Sequence, residues 1–302
     1  MRVVSVLPSA TEIVCALGHR PELVARSAEC DFPLDVATLP AVMRPRTRDF
    51  DRPSGAIDAR VRAARGRQES LYELDIPLLR ALRPDLLITQ DLCGVCSVTE
   101  AEVAEACANA GVAPHVLSLS PRTLPEVWRS VEEVGAALGD AREGVRLAAA
   151  LRERASPDPA RSDGPRVAVV EWLDPPILAG LWAPDIVRAA GGTPAAGRSG
   201  EPGTRTSWRE VRSLRPDLLV LSPCSFSVER SRQEMADARI RTGIASVEAP
   251  LGTFVADEAY FSRPGPRLAD GVELVRHLLA RTPWRAPMPY DRVIGGGPEA
   301  TA

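Results

Sequence analysis

The chain has 302 residues, 45% of them hydrophobic and 25% charged, with a formal net charge of -3, an ordinary globular composition long enough for two domains. Every one of its 37 basic residues is an arginine, which excludes Schiff-base enzymes and P-loop nucleotide hydrolases, because both require a lysine amine. The slight negative charge offers no nucleic-acid groove, and no segment approaches the ~20 consecutive apolar residues of a membrane helix.

The first predicted element is a strand over Val3 to Leu7. Neither a long apolar leader nor a cleavage site precedes it, so a cytoplasmic location is expected, with the six cysteines as free thiols, metal ligands or redox groups. Ser9-Ala-Thr-Glu12 reads as a capping box that opens a helix, and Gly18 as its left-handed stop. A strand over Leu23 to Ala25 leads into Cys30-Asp31-Phe32-Pro33. The arginines from Arg44 to Arg67 are interrupted by Asp49, Asp51 and Asp58 and read as a solvated loop and helix face.

An internal repeat organises the rest. Leu82-Arg-Pro-Asp-Leu-Leu87 recurs as Leu214-Arg-Pro-Asp-Leu-Leu219, each copy after a helical pattern and before an apolar run. Proline disfavours helical geometry in the residue before it, so each helix stops and the chain turns into a buried strand, Leu86 to Thr89 or Leu218 to Leu221. Further strands are expected at His115 to Leu119 and Val167 to Val170. The interval from Leu124 to Ala155 has apolar residues at helical spacing, with a break near Gly139-Asp140. The alternation predicts an α/β fold: two Rossmann-like lobes with mostly parallel sheets, joined by a long helical connection, with a ligand cleft between the lobes. The expected divisions are an N-terminal lobe over 1–122, the connection over 123–155, a C-terminal lobe over 166–281, and a disordered tail over 282–302.

In open α/β sheets, ligands sit outside the carboxyl ends of the strands. The first copy of the repeat leaves its strand through Asp91-Leu-Cys93-Gly-Val-Cys96 and the second through Ser222-Pro-Cys224-Ser-Phe226, so Cys93 and Cys224 occupy equivalent strand ends and are expected to face each other. Cys30 also follows a strand. Cys30, Cys93, Cys96 and Cys224 are therefore candidates for one cleft, either against a ligand or as a soft-metal set for zinc or copper. Cys15 and Cys107 lie among apolar helical neighbours and read as core. Phe32, Trp172, Trp182, Phe226, Phe254, Tyr260 and Phe261 fall at strand ends, where rings suit a large flat ligand. The three histidines form no metal spacing.

Four segments in this order carry a family resemblance: Leu7-Pro-Ser-Ala-Thr-Glu12, Cys30-Asp-Phe-Pro33, Arg83-Pro-Asp-Leu-Leu87 and Tyr260-Phe-Ser-Arg-Pro-Gly-Pro-Arg267. Together they resemble the cobalamin-binding branch of the Fe/B12 periplasmic-binding-domain proteins, substrate-binding components of ABC importers, over about residues 1 to 281. Gln90-Asp-Leu-Cys93-x-x-Cys96 and Glu171-Trp-Leu-Asp-Pro175 mark a subgroup of it. The resemblance implies a corrinoid such as cobalamin as the bound ligand, with Cys30, Asp31, Asp91, Cys93, Trp172, Cys224, Phe226, Tyr260 and Phe261 as its contacts. It further implies an ABC permease as partner, although the glutamate with which the second lobe of these proteins docks is replaced here by Ser262. A binding protein rather than an enzyme is expected. The competing expectation is a zinc, copper or thiol-redox protein built on Cys93 and Cys96 with Cys30 and Cys224.

Overall fold

The computed structural model describes residues 1–46, 51–67, 69–91, 98–156 and 164–293. They form two compact units. The first comprises Met1–Arg52, Ala56–Glu153 and Pro264–Pro266, and the second Pro53–Gly55, Arg154–Arg263 and Arg267–Ala302.

The first unit is built on a six-stranded sheet of β1 (Val3–Ser5), β2 (Leu23–Ser27), β3 (Ala41–Pro45), β4 (Tyr72–Leu74), β5 (Leu86–Gln90) and β6 (His115–Leu119), in the order β4-β3-β2-β1-β5-β6. Every pairing is parallel except β3 with β4. Central β1 is buried at every position, as expected of a parallel strand covered on both faces. Helices α1 (Pro8–Ala16), α2 (Ser54–Arg67), α3 (Ile76–Leu82), α4 (Glu100–Ala110), α5 (Leu124–Ala137) and α6 (Ala141–Arg154) accompany it. The core gathers Val4, Val6, Ala25, Val42, Leu79, Leu87 and Val103, and each large aliphatic side chain there contributes about 1.5–3 kcal/mol by leaving water.

The expected capping box of α1 does not form. Pro8 takes the first helical position after an extended Leu7, a place proline is preset to occupy, so Ser9 and Glu12 fall inside the helix and are buried. Capping boxes do form at Thr99 with Glu102, Thr123 with Glu126 and Ser207 with Glu210. Gly18 ends the α1 segment with φ +83.

The second unit carries β7 (Arg166–Leu173), β8 (Pro176–Leu178), β9 (Thr193–Pro194), β10 (Thr204–Arg205), β11 (Leu218–Leu221), β12 (Gly252–Ala256) and β13 (Tyr290–Arg292). The order is β10-β8-β7-β11-β12-β13, with β9 also on β7. Strands β7, β11 and β12 are parallel, and β8, β10 and β13 extend the sheet antiparallel. Helices α7 (Ala183–Ala189), α8 (Trp208–Ser213), α9 (Val228–Glu234), α10 (Ala238–Ala245) and α11 (Leu268–Ala280) complete it.

The repeated hexapeptide is one device used twice. Arg83 and Arg215 take left-handed backbone at φ 46 and 48, which stops each helix before its proline. The Asp85 carboxylate then accepts the Arg2 amide at 2.7 Å, and the Asp217 carboxylate accepts the Arg166 amide at 2.7 Å. The backbone carbonyls of Asp85 and Asp217 accept from His115 and Leu251 at 2.8 and 2.7 Å. One aspartate thus ties together the amino ends of three adjacent strands in each unit.

Two expectations about organisation change. The helical connection, α5 and α6 with the break at Gly139, φ +81, packs with the first unit as far as Glu153 instead of standing apart from it. A Cβ on Gly135 would lie 2.7 Å from the Gly144 Cα, so α5 and α6 meet backbone to backbone. The tail expected to be disordered is ordered as far as residue 293: β13 pairs with β12, and Trp284 stacks on His277 with centroids 5.0 Å apart.

Candidate ligand-binding residues at the strand ends

In the first unit the chain leaving β2 turns back on itself, with the Cys30 amide donating to the Ser27 carbonyl at 3.1 Å. This turn tucks the Cys30 thiol under α1, where it lies 3.1 Å from Thr11 Oγ1, whose hydroxyl donates to Ser5 Oγ at 2.9 Å. Cys30 is 1% exposed. Expected to contact a ligand or a metal, it is instead a packed core thiol, because the turn that follows β2 points it inward. The residues after it are different: Asp31 is exposed, and Phe32 and Leu34 are 43% and 84% exposed. Such exposure of large apolar side chains costs hydrophobic stabilisation unless something covers them. Asp91 is exposed beyond β5, its amide donating to Ser120 Oγ at 3.2 Å. Cys93 and Cys96 lie outside the described residues, and with them the expected juxtaposition of Cys93 and Cys224.

In the second unit, three parallel strands deliver Glu171 and Trp172, Cys224 to Phe226, and Asp257 to Phe261 to one end of the sheet. Trp172 is partly buried; its indole Nε1 donates to the Ser54 carbonyl at 3.2 Å, and its ring lies 5.2 Å from that of Phe226 at 48°. Phe226 is 3% exposed, and the Arg230 guanidinium sits 4.8 Å from its centroid. It backs Trp172 rather than offering a face of its own.

Cys224 is exposed at its surface, yet protein atoms crowd around the sulfur. That crowding, followed by the charges of Glu258 and Glu171, pushes the thiol up to about 12. Cys224 is therefore a neutral thiol at physiological pH, the form that is neither nucleophilic nor a strong metal ligand. Ser225, in left-handed backbone at φ 63, turns its amide onto Glu258 Oε2 at 2.7 Å. Glu258 is 9% exposed and paired with Arg263 at 2.5 Å; burial raises its carboxyl and Arg263 opposes the rise.

Tyr260 and Phe261 are 0% and 3% exposed, so the two rings expected to stack on a ligand are inside the unit. The Tyr260 hydroxyl donates to the Met288 carbonyl at 2.6 Å, and the Phe261 carbonyl accepts Trp182 Nε1 at 2.5 Å. The first holds the chain after α11 in place, and the second ties the start of α7 to the segment after β12. Sequence reading placed Glu171 only in a subgroup motif and Phe32 only among the strand-end rings, and counted neither among the ligand contacts. The available signals were a carboxylate at the end of the apolar run Val167–Leu173 and an aromatic beside Pro33 in a loop.

Among the described residues no group of three or more His, Cys, Asp and Glu side chains is arranged to hold a metal ion. Cys30, enclosed beneath α1, is turned away from the expected zinc or copper set.

No protein-family model matches the chain, and no curated protein matches it by sequence. Solved structures do. A periplasmic haem-binding protein from Pseudomonas aeruginosa superposes with a TM-score of 0.70 at 19% identity, over 98% of this chain and 99% of that one. The periplasmic vitamin B12-binding protein BtuF of Vibrio cholerae gives 0.61 at 20%, over 93% and 96%. An Fe3+-hydroxamate transport protein from Saccharomonospora viridis gives 0.61 at 15%, over 92% of each chain. The fold is that of the periplasmic chelate-binding proteins. These neighbours are described as binding proteins for haem and vitamin B12 and as part of an ABC-type Fe3+-hydroxamate transport system. They overturn the cytoplasmic expectation: the structures that share this fold are described as periplasmic. Among the described residues no helix is long and apolar enough to cross a membrane.

Proposed function

We propose that this chain is a substrate-binding protein for a macrocyclic metal chelate, and that the chelate is a corrinoid. The observation that carries the reading is the kind of group presented at the strand ends. The loop after β2 exposes Phe32 and Leu34, and β7 and β11 end in Trp172 and the neutral thiol of Cys224. In each unit, apolar side chains beside a few polar groups suit a large ring that gains affinity by stacking and orientation by hydrogen bonds. The choice of a corrinoid within that class rests on the four motif segments, from Leu7–Glu12 to Tyr260–Arg267. Delivery to an ABC permease accompanies this reading, and Ser262 stands where the usual docking glutamate of the second lobe would be.

The test is equilibration of the purified protein with aquacobalamin or with haemin at micromolar concentration, followed by desalting and visible absorption. Retained cobalamin colour at one equivalent supports the reading. Retention of haemin alone would move the assignment to a porphyrin, and retention of neither would overturn it.

A further inference from the structure

Glu171 is set apart by its backbone. Val170 pairs with Leu178 and Trp172 with Ile177, so Glu171 is the extra residue of an irregularity between β7 and β8, the bulge geometry by which strands re-aim a side chain. Gly203 makes room for it, and Gly180 lets the backbone carrying Gly203 approach. A Cβ on Gly203 would collide with Glu171 Oε1, and one on Gly180 would collide with the backbone of Glu201, Pro202 and Gly203. The Gly180 amide donates to the carboxylate, and the Glu171 carbonyl accepts the Cys224 amide at 3.0 Å. The carboxyl group is thus held at the carboxyl end of β7, next in chain to Trp172 and close to Cys224.

Among the described residues no cation is recorded acting on this group. Cys224 on the β11 side is a neutral thiol. At the end of β12, Glu258 is already joined to Arg263, and Asp257 caps the short turn there. On the β8 and β10 side the carboxylate meets the Gly180 amide and lies against Gly203. Burial raises the Glu171 carboxyl to about 7, opposed only by the Gly180 amide.

Resting on the corrinoid reading above, we propose that Glu171 is a specificity residue: as a neutral carboxyl it donates a hydrogen bond to a carbonyl oxygen on the ligand rim. Surroundings that hinder one carboxylate from ionising also disfavour the arrival of another. The residue therefore selects rings bearing carboxamides over rings bearing carboxylates, and its own ionisation weakens binding.

The experiment measures dissociation constants of cyanocobalamin, whose rim carries carboxamides, and of haemin, which carries two carboxylates, between pH 5.5 and 8.5. For the wild type, cyanocobalamin affinity is expected to fall about tenfold per pH unit above the carboxyl value, and E171Q is expected to keep the pH 5.5 affinity throughout. Cyanocobalamin binding with the same pH profile in both proteins, or tighter haemin binding at every pH, would overturn the role of Glu171 while leaving a chelate-binding protein. Binding of neither ligand at any pH overturns both readings. A ligand-free measurement is independent of these. In the unfolded chain the carboxyl ionises near its ordinary 4.5, whereas in the fold it holds its proton to about 7. Its stabilising contribution is therefore complete below 4.5 and is lost as pH rises to 7. Melting of the wild type is expected to drop relative to E171Q across that window; parallel melting curves would overturn the proposal.

Discussion

Cys30 and Cys224 carry one functional group into two environments, and what separates them is the turn that follows each strand. The turn after β2 folds Cys30 inward onto Thr11, whereas the left-handed Ser225 keeps Cys224 at the surface. The aromatics divide in the same manner. Tyr260 is enclosed and bonded to the Met288 carbonyl, so Tyr260→Phe should cost about 1 kcal/mol of stability, the worth of one hydrogen bond, and leave chelate affinity within about threefold. Trp172, only partly buried, should behave in the opposite sense. Loss of a stacking ring costs about 1–3 kcal/mol of affinity, tenfold or more, so Trp172→Ala should weaken binding well beyond Tyr260→Phe. Urea titration and equilibrium binding on the two variants separate the effects, and equal affinity losses would place Tyr260 back among the ligand contacts. Sequence put all these residues at strand ends correctly, but which way a side chain leaves a loop depends on one or two backbone angles that composition does not encode.

At the scale of elements, the Leu-Arg-Pro-Asp-Leu-Leu repeat was readable because proline punctuates a helix wherever it occurs. Its second function was not. The contacts of Asp85 with Arg2 and of Asp217 with Arg166 span 83 and 51 residues, and nothing local signals them. Both carboxylates accept a backbone amide at the amino end of the first strand of their unit, the end opposite the candidate ligand residues. Asp85→Ala and Asp217→Ala should therefore each lower stability by about 1–2 kcal/mol, a charge-assisted hydrogen bond discounted for solvent exposure, with no effect on chelate affinity. Denaturant midpoints and binding constants for the pair check this, and a large affinity loss in either variant would contradict the separation of the two ends. The irregularity at Glu171 escaped sequence reading for a similar reason: an extra strand residue is defined by its partner strand, here Leu178 and Ile177 on β8, rather than by its neighbours in the chain.

For the whole molecule, the α/β class and the two units were legible because strand and helix periods alternate twice along the chain, while the exact division was not. Residues 123–153 join the first unit through contacts between α5 and α1, and Pro264–Pro266 return to it from the far end of the chain. Each unit has its own apolar core, and four of the five tryptophans, Trp172, Trp182, Trp208 and Trp284, lie in the second. Intrinsic fluorescence therefore follows mainly the unit that carries Trp172, Glu171 and Cys224. A ligand that binds only the folded state stabilises it by about 2.7 kcal/mol at a hundredfold excess over its dissociation constant, which for a unit of this size corresponds to roughly 5–10 °C. Cyanocobalamin at that excess should raise the fluorescence-detected melting midpoint by this amount, and the rise should grow with the logarithm of ligand concentration. Trp172→Ala at the same ligand concentration should lose most of the shift, because the same concentration then represents a far smaller excess over its weaker dissociation constant. A midpoint that does not move with ligand in the wild type, or a shift that survives unchanged in the variant, would remove Trp172 from the site.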